Sequence, residues 1–398
     1  MRSALRNLAA FAFQILYLTA AWAQGGQGQT GAAQYIGVSL DGLFSSGWAT
    51  AREEETGQLQ GGAHDPKKRG FTVQNIEMSL LGAVDPYLAG EAHLVYQLTP
   101  EGESILEVEE TFLTTMALPA GLQLKAGHFF IEFGRLNPRH PHSWDFVDQP
   151  IVNTRMFGGD GLRAPGFRLS WLAPLPWYAD FMAGAHNANG ETVSSFLSAP
   201  GEEEAGFAGH PFVERQVDGP GDLLYSFRWL NSLDFTTTTV NLGVSGLFGP
   251  NATGDDTRTR ILGGDLYLKW KPLRTHRGWP FAALQAEVMN RRYEVDGPSG
   301  TLGDWGLYLE GLWGFRTRWV AGLRADWADG DGRSGGEEDA LRDRRFRLSP
   351  VLTWYPSEFS KLRFQSNYDR AEHLDDQPES AFWTQFEFML GTHPAHSF

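Results

Sequence analysis

Period-two alternation of apolar and polar side chains, resumed over stretches of about ten residues, restricts this chain more than any other feature. In residues 71–85, Ile76, Met78, Leu80 and Val84 fall on one face, and Asn75, Glu77 and Ser79 on the other. In 87–98, Leu88, Ala92, Leu94 and Tyr96 oppose Glu91, His93 and Gln97; next, Leu106, Val108 and Phe112 oppose Glu107, Glu109 and Thr111. The pattern returns with Phe167, Leu169 and Trp171 against Arg168 and Ser170, and with Leu284, Ala286 and Val288 against Gln285, Glu287 and Met289. It closes with Leu362, Phe364 and Tyr368 against Arg363, Gln365, Asn367 and Asp369, then Phe382, Phe386 and Leu390 against Gln385 and Glu387. Such a strand must hide one face from water and give the other water or a partner.

A soluble sandwich or propeller would bury the apolar faces against each other, and a propeller would repeat its sequence, which this chain does not. A membrane barrel meets both demands at once, with lipid outside and polar groups inside. The expected fold is therefore all-β, a transmembrane antiparallel up-and-down β-barrel of about sixteen strands. Its first strand is expected at 35–48. Short connections such as Asp85-Pro86-Tyr87 and Ala173-Pro174-Leu175-Pro176 alternate with long polar ones. Among the long ones are 51–70 (Glu53-Glu54-Glu55, Lys67-Lys68-Arg69), expected to be solvated, then 187–220 with Glu202-Glu203-Glu204, and 329–345. Tyr87, Trp177, Trp270, Trp279, Trp305, Trp327, Trp354 and Tyr355 sit at strand ends, where interfacial aromatic girdles belong.

Export is written at the start of the chain. Arg2 and Arg6 precede an apolar run, Leu8 to Ala20, and Ala21-Trp22-Ala23 supplies a small-x-small cleavage pattern. Residues 1–23 are expected to be a cleaved signal peptide, and 24–398 a single barrel domain behind a Gly/Gln-rich lead-in. The absence of cysteine excludes a disulfide scaffold, and a net charge of −15 argues against a nucleic-acid surface.

Both signs of charge occur at inward positions: Glu77, Glu91, Glu107, Glu109, Lys125, Arg168, Asp265, Lys269, Glu287, Glu310, Arg318, Arg324, Asp326, Arg363, Asp369 and Glu387. They imply a wet interior, and about sixteen strands are enough to enclose an aqueous channel. A plugged TonB-dependent receptor would call for about 22 strands and a plug domain; here alternation already starts near Tyr35.

One insertion stands apart. Residues 134–165, after about five strands, are long, rich in Pro and Gly, ionic and aromatic (Trp144, Phe146, Phe157), and are expected to fold inward as a constriction loop. Its candidate pore residues are Glu132, Arg135, Arg139, His140, His142, Asp145, Asp148, Arg155, Asp160, Arg163 and Arg168. Facing charges can set a transverse field that selects by sign; equally, they can pair among themselves and pin the loop. His140-Pro141-His142 invites a metal only if a further ligand such as His128 or Asp145 converges on it. No phosphate-binding loop, nucleophile elbow or protease-type histidine pair is present, so no enzyme and no cofactor are expected.

The stretches Gly127-His128-Phe129-Phe130-Ile131-Glu132-Phe133-Gly134-Arg135-Leu136-Asn137-Pro138, His140-Pro141-His142 and Trp144-Asp145-Phe146-Val147-Asp148-Gln149-Pro150 resemble a group of uncharacterised proteobacterial-type outer-membrane proteins. Gly158-Gly159-Asp160-Gly161-Leu162-Arg163 and the C-terminal Gly391-Thr392-His393-Pro394-Ala395-His396-Ser397-Phe398 match as well. More distantly, the chain is similar to phosphate-selective porins; some relatives carry names implying zinc-regulated or TonB-dependent receptors. The resemblance implies an outer-membrane barrel, with a terminal aromatic read by the barrel-assembly machinery. Residues and resemblance together lead to an expected passive channel for small hydrophilic solutes or ions. Lipid and lipopolysaccharide would surround it, and a homo-trimer is among the assemblies it admits. A metal-linked or anion-selective uptake protein is the alternative; an outer-membrane enzyme or closed structural barrel ranks behind.

Overall fold

The computed structural model describes residues 36–99, 101–197, 206–297, 300–331 and 342–391. The expected signal peptide, Glu202 to Glu204 and the tail from Thr392 lie outside them. Sixteen strands pair antiparallel, each with its sequence neighbours, and the last pairs with the first, so the sheet closes and leaves no edge. They are β1 (Ile36–Ala49), β2 (Gly70–Ala83), β3 (Leu88–Leu98), β4 (Ser104–Thr115), β5 (Leu122–Phe130), β6 (Arg163–Leu172), β7 (Tyr178–Asn187) and β8 (Leu223–Asp234). The circuit continues through β9 (Thr238–Pro250), β10 (Arg258–Trp270), β11 (Phe281–Glu294), β12 (Thr301–Arg316), β13 (Trp319–Gly330), β14 (Arg345–Ser357), β15 (Ser360–Ala371) and β16 (Glu379–Gly391).

The alternation sorts side chains as the strand period demands. Leu169, Trp171, Phe181, Trp229, Leu309, Leu323, Phe382 and Phe386 all stand exposed on the outer face, an apolar surface that lipid rather than water would cover. Their neighbours Arg168, Asp180, Arg228, Glu310, Arg324, Gln385 and Glu387 are buried on the inner face. Short turns mark one end. In the β2–β3 turn, Asp85 Oδ1 accepts from the Tyr87 and Leu88 N–H groups (2.7 and 2.9 Å), replacing two ladder partners with one side chain.

Four local expectations are corrected. Charges on the inner face are held mainly by protein groups rather than by open water: Arg324, Arg347, Arg363, Glu77, Glu287 and Glu387 are almost wholly buried. Residues 51–70 are not simply solvated, for they contain α1 (Glu53–Leu59). Its acidic first turn faces water, while Ala51, Thr56, Leu59, His64 and Asp65 are buried. Arg318 is not a wall residue; it occupies the β12–β13 turn at φ 70°. Trp279 and Tyr355 leave the girdle and pack with Phe281, Val320 and Leu312, because the β10–β11 turn folds back over that rim.

A fifth correction bears on the site. Pairing of β3 with β4 slips between His93/Glu110 and Leu94/Val108, leaving Glu109 as a bulge. A bulge places two consecutive residues on one face and reverses parity beyond it. Glu109 and Glu110 are therefore both buried, Phe112 turns inward, and Thr111 and Leu113 turn outward.

Candidate functional site

Strand β5 ends at Phe130, and the chain rejoins the wall at Arg163. Asn137 closes the neck of the intervening segment. Its Nδ2 donates to Ile131 O (2.8 Å) and Leu162 O (3.0 Å), and its Oδ1 accepts from Leu162 N–H (2.8 Å). Gly134 then turns at φ 60°, where a Cβ would lie 2.0 Å from the Glu287 carboxylate; only glycine allows that approach. The approach is used, since the Arg135 and Leu136 N–H groups both donate to Glu287 Oε1 (3.0 and 2.7 Å). Arg135 Nε donates to Gln285 Oε1 (2.7 Å), and its guanidinium lies 3.7 Å from the Tyr267 ring centroid.

Further along, wall side chains capture the segment's carbonyls. Lys361 Nζ donates to His142 O (2.5 Å) and Arg363 to Trp144 O, while Gln365 Oε1 accepts from Val147 N–H (2.8 Å). Asp148 forms the tightest knot. Its carboxylate accepts from Arg324 Nη2 (2.6 Å), Arg347 Nη1 (3.1 Å), Gln365 Nε2 (2.8 Å) and Asn367 Nδ2 (2.6 Å). Burial alone would raise its pKa, but Arg324 and Arg347 outweigh that and hold the carboxyl at about 2. Asp65, buried nearby beside the Asp148 charge, is pushed up to about 6.

The short helix α2 (Ile151–Phe157) follows, its Ile151 N–H donating to Asp326 Oδ1 (3.2 Å) and Arg155 donating to the carbonyls of Arg342 and Asp343. Val152, Met156 and Phe157 of this helix join Ile131, Phe133 and Leu162 in one apolar cluster with Leu224, Leu247, Ile261 and Met289 of β8 to β11. The segment is therefore held both by hydrophobic contact and by ionic anchors on many strands.

At its other side the segment meets carboxylates. His140 Nδ1 lies 2.8 Å from Glu109 Oε2 and 3.2 Å from Glu77 Oε2, and its Nε2 lies 2.8 Å from Glu110 Oε2. His142 Nδ1 is 3.1 Å from Glu77 Oε2, and His93 Nδ1 is 2.9 Å from Glu77 Oε1. The His93 and His140 rings lie 4.6 Å apart, and His64 Nε2 is 3.6 Å from Glu109 Oε1. Burial disfavours a charge on His140, yet Glu77 and Glu109 raise its pKa well above the usual imidazole value.

The remaining candidate pore residues take different places. Arg163 pairs with Glu107 (2.8 Å) and Glu109 (3.3 Å), and Glu132 with Arg168 (3.1 Å). Arg139 and Asp160 line a cavity of about 20 Å³ with His64 and Glu109, room for about one water. Arg139 Nη1 is buried with no hydrogen-bond partner among the described residues. Asp145 is half-buried. His128 and Asp145 stand outside the group of potential metal ligands, in which His140 converges instead with Glu77 and His93. Glu110, His64, Arg347 and Lys361 join the site without having been singled out in the sequence. Strand parity marks the last two as inward, but Glu110 is hidden by the bulge.

The fold is that of the outer-membrane porins: a closed sixteen-stranded barrel, apolar outside and ionic inside. It is similar to the outer membrane channel DcaP of Acinetobacter baumannii (TM-score 0.57, 11% identity, 92% of this chain and 100% of that one). It is also similar to OprB of Pseudomonas putida (0.55, 9%, 90% and 94%) and to a trimer form of the outer membrane protein OmpT of Vibrio cholerae (0.54, 8%, 90% and 100%). No family model matches the sequence. The chain belongs to the same family as an uncharacterized protein of Aquifex aeolicus (strain VF5), to which it is 32% identical over 351 residues, 83% of this chain and 71% of that protein.

Proposed function

We propose that this protein is an outer-membrane porin-like channel, exported through its 1–23 leader, in which segment 131–162 folds across the lumen and narrows the path for small hydrophilic solutes or ions. The observation that carries this reading is the reach of that one segment. Its backbone and side chains bond to Ser245 of β9, Glu287 of β11, Asp326 of β13, Arg347 of β14 and Gln365 of β15, and its histidines meet Glu77 of β2. A segment that crosses the interior accounts for strands this far apart around a closed sheet sharing one partner. So many anchors favour a narrow, low-conductance path over a wide pore.

Planar-bilayer recording on the folded barrel tests it. The intact protein is expected to give small, discrete conductance steps, and a variant with 138–157 replaced by a short Gly/Ser linker larger ones. Absence of steps from both proteins would remove the channel reading. Arg139 is the expected source of charge selection, because its Nη1 has no hydrogen-bond partner to offset its field. Arg139→Gln should move the reversal potential in a salt gradient towards cations, and an unchanged reversal potential would remove Arg139 from that role.

A further inference from the structure

We infer that Glu77, His93 and His140 form a binding site for a divalent transition-metal cation of the zinc, cobalt or copper class, clamping segment 131–162 to β2 and β3. One nitrogen from each histidine and one oxygen of Glu77 already lie within 4.8 Å of one another. Ligand atoms around a tetrahedral ion at about 2.0–2.1 Å stand roughly 3.4 Å apart, so small side-chain movements bring these onto one ion. Glu109 Oε2, 2.8 Å from His140 Nδ1, stands next to the group and can supply a fourth position; His142 Nδ1, 3.1 Å from Glu77 Oε2, is the other neighbour.

A second observation points to a missing ligand. Both oxygens of Glu109, a fully buried side chain, and His140 Nδ1 make no well-angled hydrogen bond, although they face each other. Three carboxylates, Glu77, Glu109 and Glu110, surround one imidazole, and a single Nδ1 proton cannot serve both Glu77 and Glu109. A divalent ion can: bound to His140 Nδ1, it displaces that proton to solvent and, with Arg163 already 3.3 Å from Glu109 Oε1, balances the charges of Glu77 and Glu109. Two imidazoles with carboxylates suit the zinc–copper series; calcium and magnesium prefer all-oxygen sets. His140 comes from the segment, Glu77 from β2 and His93 from β3, so the ion would join three separate parts of the chain. The site stands whether or not the barrel conducts.

The test uses the whole mature chain, folded into detergent micelles and stripped with EDTA. Titration with Co²⁺ should show one equivalent with the strong visible absorption of a tetrahedral site, displaced by Zn²⁺. His93→Ala and Glu77→Gln should each weaken binding by at least about tenfold. His276→Ala, on an exposed turn, and the double change His393→Ala with His396→Ala should leave it unaltered. Heat-modifiable gel migration reports whether each variant folds. A wild-type barrel that yields no tetrahedral Co²⁺ spectrum overturns the site whatever the variants do. So does a spectrum that survives in folded His93→Ala and His140→Ala, or one lost with the control changes.

Discussion

Asp148 does more than any other side chain to fix segment 131–162. Four wall side chains donate to its carboxylate, and Arg324 Nη1 also donates to its backbone carbonyl (2.8 Å). Removing its charge leaves Arg324 and Arg347 buried with less compensation, so Asp148→Asn should cost about 3–5 kcal/mol in urea unfolding of the folded barrel. Acid should have the same effect in the wild type. The folded pKa of Asp148, about 2, lies below its ordinary value of 3.8, so its stabilisation is complete above about pH 4 and is lost as pH falls through 2. Asp65, raised to about 6, has the opposite sign: its contribution is full below 3.8 and fades as pH rises through 6. Pepsin cleavage within 131–162 should therefore begin only as pH falls between about 4 and 2, and in Asp148→Asn it should already occur at pH 4. Protection of the wild type down to pH 2 would contradict the anchor.

Among the elements, the bulge in β4 has the largest local consequence. Adding one unpaired residue at Glu109 puts two consecutive carboxylates on the inner face and reverses the parity of Thr111, Phe112 and Leu113. Deleting residue 109 should leave a regular ladder in which Glu110 and Phe112 still face inward, so that shortened strand should fold. Deleting Thr111 instead keeps the bulge and should turn Phe112 outward and Leu113 inward, so its folded yield should fall sharply. Equal yields from the two deletions would show that register in β4 is not set there. Alternation before the bulge is plain in the sequence, but the bulge is not, because Glu107, Glu109 and Glu110 fit either parity equally well. The helix in 51–70 escaped for a similar reason: a charge run dominates the segment's composition, while Ala51, Thr56 and Leu59, which turn towards the barrel, are widely spaced.

Across the whole molecule, closure of the sheet converts local alternation into an inside and an outside. Much of the inner face is engaged by protein contacts. Arg324 bonds Asp326 and Asp148, Arg347 bonds Asp369 and Asp148, Arg228 bonds Asp265, and Arg291 bonds Asp304. Pairs this deeply buried are expensive to desolvate and do not by themselves argue for stability. They do argue for a specified interior, since each charge has a partner whose loss would be felt. That geometry underlies the small conductance expected of the intact barrel and its increase when the segment is replaced.

The sequence by itself determined the strands, their sidedness apart from β4 beyond its bulge, and their approximate number, because a side-chain period of two with one apolar face admits few arrangements and lipid is the simplest cover for such faces. It also marked residues 134–165 as exceptional, since so many aromatics and charges without a period cannot remain in solvent or lie in a wall. Which charges meet was decided only by closure. Asp148 meets Arg324, and His140 meets Glu77 and His93, across long stretches of chain and between a segment outside the wall and the strands; a period read along one strand carries no information about such pairs. The insertion that stood out as a candidate constriction is, in the folded protein, the common partner of strands from around the ring, because its clasp at Asp148 finds its hydrogen bonds only once those strands have come together.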